Sequence, residues 1–125
     1  IGIGLVYSHF QTRSQLHASF LTVIFCFVTQ LANAAALEEP LFRGFIWGSL
    51  EKKGWKQVWI WLLQAVLFCL GHVYYLPTYP VFFIGTFVTA LVLGLLVWKS
   101  KSVGTSMIAH GLINSVADIV MHYVI

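Results

Sequence analysis

Four apolar stretches run along this chain, each bounded by a short cluster of charged or turn-forming residues. Residues 1–6 are apolar, and "YSHFQTRSQLHA" (7–18) is polar, so residues 1–18 read as a loop or the end of an upstream helix. From Ser19 to about Leu50 one helical pattern continues, with Glu38, Glu39 and Arg43 as its only charges. "EKKGWK" (51–56) is a turn, and a second stretch runs from about Trp55 to Leu76. "LPTYP" (76–80) breaks it, because proline lacks an amide donor and restricts the residue before it. The third stretch runs from Val81 to Trp98, "KSKSVG" (99–104) turns the chain, and the fourth runs from about Thr105 to Val124.

Crossing a bilayer core takes about 20 apolar residues. The second, third and fourth stretches fit that length. The first is longer, roughly 48 Å as a helix, and must tilt, kink or project. Pro40 is the natural kink, since its ring clashes with the carbonyl four residues back. Helices follow from the lipid environment, where an exposed strand would leave backbone groups unpaired. The predicted fold is all-α: a polytopic membrane bundle of about four transmembrane helices, the first long and kinked near Pro40. Its core is residues 19–125.

Composition agrees. The chain is 59% hydrophobic and 9% charged, against about 25% charged in soluble domains. A net charge of +3 is too small and too dispersed for a nucleic-acid surface, so the partner implied is the bilayer. Lys52, Lys53, Lys56, Lys99 and Lys101 all fall in the 51–56 and 99–104 turns. The positive-inside rule places those turns in the cytoplasm, and the short chain suggests a bacterial inner membrane. Ile1 in place of Met reads as a segment cut from a longer protein. Cys26 and Cys69 sit in apolar runs and read as buried thiols. Gly85, Thr89 and Gly94 read as small-residue packing sites.

The polar residues inside the stretches carry the functional question, because ionisable groups at membrane depth are costly. Glu39 and Arg43 are spaced i, i+4 and can pair on one helix face. Glu38 is rotated by about 100° from Glu39 and has no local cation. Ser106, His110, Asn114, Asp118 and His122 recur every four residues as one stripe. Gln64, Phe68 and His72 share a face of the second helix. Counting about 1.5 Å per residue from the cytoplasmic ends, Glu38, Glu39, Asn114 and His110 can meet near the midplane. His72 comes out deeper and joins only with tilt. Gln30, Asn33 and Gln64 read as interhelical glue, and Asp118 and His122 as interfacial.

One unpaired carboxylate, two imidazoles and an amide from three helices suit water chemistry. A carboxylate can take a proton from water, a histidine can hold that water, and a second histidine with an asparagine can stabilise an oxyanion. Two histidines and a glutamate are also a catalytic zinc set. Metal-free hydrolysis and hydrolysis assisted by a divalent metal such as zinc on Glu38, His72 and His110 therefore both stand open. A binding or immunity protein without turnover and a small transporter are the competing classes.

"EEPLFR" (38–43) resembles the Glu-Glu-x-x-x-Arg motif of the CAAX protease and bacteriocin-processing (CPBP, or Abi) family of intramembrane proteases. "FCLGH" (68–72) is similar to its Phe-x-x-x-His motif and "HGLIN" (110–114) to its His-x-x-x-Asn motif. All three stand in family order. The resemblance implies an intramembrane endopeptidase with Glu38 as catalytic glutamate, supported by Glu39 and Arg43, and with His72, His110 and Asn114 completing the site. It implies a peptide or protein substrate, lipidated or membrane-bound. Eukaryotic members remove the last three residues of prenylated CAAX proteins. Bacterial members are linked to peptide processing and bacteriocin self-immunity.

Overall fold

The structure, a computed structural model, describes the backbone of residues 20–123 and the side chains of residues 20–120. The expected loop at 1–18 and the side chain of His122 lie outside that range. Four helices carry the fold: α1, Phe20–Lys52; α2, Gln57–Gly71; α3, Pro80–Ser100; and α4, Val103–Tyr123. No strand occurs among the described residues. α1, α3 and α4 are long and apolar enough to cross a membrane, so this is an integral membrane bundle.

α2 is shorter than the sequence pattern predicts: it has 15 residues and stops at Gly71, not at Leu76. His72 ends it. Its backbone N–H bonds Cys69 O at 2.9 Å, and its Nδ1 lies 2.8 Å from Phe68 O. A carbonyl left without a partner at the last turn is thus capped by a side chain. A 3₁₀ turn, Val73–Tyr75, follows. Pro80 then opens α3 at its first turn, where a missing N–H costs nothing. Lys101, in the left-handed region at φ 57°, closes α3 with its N–H on Val97 O at 2.8 Å.

The irregularity expected at Pro40 takes the form of a π-helix, Pro40–Ile46, in which Trp47 N–H bonds Phe42 O five residues back. A second π segment, Leu31–Ala35, ends with Ala36 N–H on Leu31 O. Glu38 and Glu39 lie between the two segments, on Ala36–Glu39. Such wide turns inside α-helices gather at functional sites.

α2 packs on α3, and α1 packs on α4. Both pairs approach closely at a glycine. A Cβ at Gly94 would stand 2.3 Å from Gln64 Nε2 and 2.8 Å from Trp61 Cδ1. A Cβ at Gly111 would stand 3.2 Å from Phe27 Cε2 and 3.4 Å from the Leu31 backbone. Gly85 has open space around it, so it is not a packing site. Trp61 Nε1 and Gln64 Nε2 donate to the carbonyls of Leu91 (2.8 Å) and Ala90 (3.3 Å), tying α2 to α3. Gln64 is glue, as its position predicts.

The outer surface is apolar. Phe20, Leu21, Leu37, Phe45, Val81 and Ile84 are all well exposed, which only lipid makes tolerable. An apolar groove of 330 Å³ between α2 and α3 is lined by Val66, Cys69, Leu70, Phe83, Ile84 and Phe87. Cys26 and Cys69 are both free thiols.

Candidate active site

The site starts from the fully buried pair Glu39 and Arg43. Arg43 Nη1 lies 3.1 Å from Glu39 Oε1, one helical turn away. Nη2 donates to Ala90 O at 3.2 Å. The guanidinium carbon sits 4.5 Å from the centre of the Phe68 ring. A buried charge persists only when paired and hydrogen-bonded. Here one cation is held by a carboxylate, a helix carbonyl and an aromatic face, and α1, α2 and α3 are joined through it.

His110 extends the pair to α4. Its Nδ1 is 2.8 Å from Glu39 Oε1, and its Nε2 is 3.8 Å from Glu38 Oε2. Adjacent glutamates therefore face the two nitrogens of one imidazole. The expectation that Glu38 points away without a cation holds only along α1 itself. The imidazole comes from α4, and its two nitrogens serve carboxylates on different sides of α1.

The two glutamates differ in setting. The Glu39 side chain is wholly buried, whereas 30% of the Glu38 side chain is exposed. Glu38 is thus the carboxylate that water can reach. Glu39 is committed to Arg43 and to the His110 ring.

His72 reaches this cluster through Phe68. The two rings are 4.7 Å apart, centre to centre, and the Phe68 ring is also 5.9 Å from His110 and 5.1 Å from Phe42. Phe68 thereby supports both imidazoles, carries the Arg43 cation and accepts the His72 Nδ1–H on its carbonyl. Its place in "FCLGH" marked it, but an apolar residue on a core face gives no chemical signal by itself. His72 also stacks with Tyr74 and Tyr75. In the turn outside the helices, the Tyr74 phenol is pushed up to about 12. Its hydrogen bond with Tyr75 is the first cause, followed by burial and then by the charges of Tyr75 and Glu38.

These contacts fix tautomers. A carbonyl only accepts, so His72 carries its proton on Nδ1. An ionised Glu39 only accepts, so the same holds for His110. Neutral, each ring presents a bare Nε2. That nitrogen can accept a hydrogen from water, and it donates only as imidazolium.

Asn114 lies one turn beyond His110 on α4. Its Nδ2 donates to Gln30 Oε1 at 3.3 Å, and Gln30 Nε2 donates to Asp118 Oδ2. Asn33, in contrast, bonds locally to Thr29 O at 2.9 Å. Ser106 is buried and bonds Val103 O at 2.8 Å. Among the described residues no three His, Cys, Asp or Glu side chains gather closely enough to hold a metal ion. Glu38, His72 and His110, the set a zinc ion would use, are not assembled that way.

The fold and site are those of an integral membrane helix bundle with a buried Glu–Arg pair and two imidazoles beside a second carboxylate. The family model for type II CAAX prenyl endopeptidase Rce1-like proteins matches residues 17–116. The chain belongs to that family of CAAX proteases, and all seven motif residues, Phe68 included, fall inside the match. No curated protein and no solved structure matches the chain.

Proposed function

We propose that the protein is an intramembrane endopeptidase in which Glu38 activates water against a peptide bond near the membrane. One observation carries this reading. Of two adjacent glutamates, Glu39 is fully buried and committed, while Glu38 keeps a partly exposed carboxylate 3.8 Å from a histidine nitrogen. A general base must reach both water and substrate, and only Glu38 has that freedom.

In this mechanism the Glu38 carboxylate takes a proton from water as the water oxygen attacks the scissile carbonyl carbon. The bare Nε2 of His72 accepts the second water hydrogen and aims the attack. The oxyanion receives the Asn114 N–H. His110 adds a second donor only when its Nε2 is protonated, because its Nδ1–H is held by Glu39. The tetrahedral centre then collapses, the C–N bond breaks, and Glu38 passes its proton to the leaving amine. Each of these steps runs on the chain's own side chains.

The family supports a membrane-associated peptide substrate. A prenylated peptide ending in a CAAX sequence is the natural probe. The exposed lysines at 52, 53, 56, 99 and 101 support a cytoplasmic position for the two turns that carry them. Cleavage of that probe by purified protein carrying Glu38→Gln is the experiment that tests the reading.

A further inference from the structure

We infer that Gln30 and Asp118 form a polarity relay that holds Asn114 with its N–H side toward the reaction. The inference rests on the endopeptidase reading, and on a contact chain that reading does not use. Gln30 comes from α1, and Asn114 and Asp118 come from successive turns of α4. The match to the family ends at residue 116, before Asp118.

The direction of each hydrogen bond is set by one end of the chain. An ionised carboxylate has no hydrogen to give, so Asp118 requires the NH₂ of Gln30. The Gln30 oxygen is then the only atom left to face Asn114, and it accepts only. Asn114 must therefore turn its NH₂ toward Gln30. That nitrogen carries a second hydrogen, which is the donor the oxyanion needs. Without the relay, a primary amide is nearly symmetric in shape and can present its oxygen instead. An oxygen facing an oxyanion repels it.

α1 and α4 also approach closely one turn before Asn114, at Gly111. Leu31, the neighbour of Gln30, lies against Gly111, with its Cα 3.4 Å from where a Cβ at 111 would stand. So close a contact leaves the Gln30 backbone little freedom relative to Asn114. Gln30 and Asp118 are positioning residues: they act on the reaction only through Asn114.

The test uses full-length protein in lipid nanodiscs with the prenylated CAAX peptide. Asp118→Asn keeps the shape but permits the whole chain of amides to reverse. It should lower kcat by at least about tenfold, a part of the roughly 100-fold that a whole oxyanion donor supplies, with KM held within about twofold. The double variant Q30E/D118N places a carboxylate in the middle and an amide at 118. It again forces Asn114 to donate, and it should recover most of the kcat. Purely structural residues would not show this rescue.

A second readout does not need turnover. The sequence has two asparagines, Asn33 and Asn114, and D118N adds a third amide at 118, so ¹⁵N-asparagine labelling leaves two or three side-chain amides, and the Asn114 signal is assigned as the one that Asn114→Ala removes. Its two proton signals should be well separated in the wild type, move together in D118N, and separate again in the double variant. Asn114 amide signals that do not respond to D118N would overturn the relay, as would wild-type kcat in D118N or a double variant no faster than the single. Loss of the endopeptidase reading looks different: Glu38→Gln would cleave normally while the amide signals still followed the relay. If D118N fails to fold, the double variant alone decides, since the relay requires it to cleave and to keep separated signals.

Discussion

His110 bonds Glu39 across 71 residues of chain, with Nδ1 2.8 Å from Oε1. This bond brings α4 to α1 and turns the bare Nε2 of His110 toward Glu38, while the same Glu39 oxygen meets Arg43. The framework of the site is thus electrostatic at its centre and apolar around it.

Arg43→Met should be strongly destabilising. It leaves the Glu39 charge buried with no full cation, and breaking a buried pair from one side costs about 3–5 kcal/mol. Thermal unfolding in detergent should fall clearly, and Glu39→Gln combined with Arg43→Met should restore part of the loss. Unchanged melting in the single variant would contradict a buried ion pair at the centre of the bundle.

Gly94→Ala should destabilise by about 1–3 kcal/mol through overpacking. The added methyl would meet Gln64 Nε2 at 2.3 Å and push the amide off the Ala90 carbonyl. Gly94→Ala placed together with Gln64→Ala should melt higher than Gly94→Ala alone, since most of the clash is gone. Equal melting temperatures for the two would show that Gln64 is not what the glycine accommodates.

Much of this was legible in the sequence. The i, i+4 spacing of Glu39 and Arg43 gave the ion pair, and the four long apolar runs gave the four helices, of which α1, α3 and α4 are long enough to span and α2 is shorter. The features that escaped it depend on contacts across helices. Periodicity could not show that α2 ends at Gly71, because a histidine caps it from outside the pattern. It could not show both glutamates on one imidazole, because that ring arrives from α4. Asp118 looked interfacial by depth, and only the partner on α1 reveals it in a polar chain with Asn114. Pro40 marked a distortion of α1, but not that the helix absorbs it as a π segment.

Metal chelation should leave cleavage of the CAAX peptide unchanged, and metal analysis of the purified protein should find no zinc at one ion per chain. Three ligating side chains are not gathered around one point among the described residues, and the proposed water activation runs through Glu38. Activity that disappears with chelator and returns with zinc would move the chemistry to a metal site.

The most direct measurement is the rate at which Glu38→Gln protein cleaves the prenylated CAAX peptide in nanodiscs, beside its melting temperature. Glutamine keeps the size and polarity of the side chain and removes the base. The account predicts a loss of about 10²–10⁴-fold in kcat, the range a positioned general base supplies, with melting unchanged because Glu38 is not part of the buried pair. Cleavage at the wild-type rate would show that some other group activates the water.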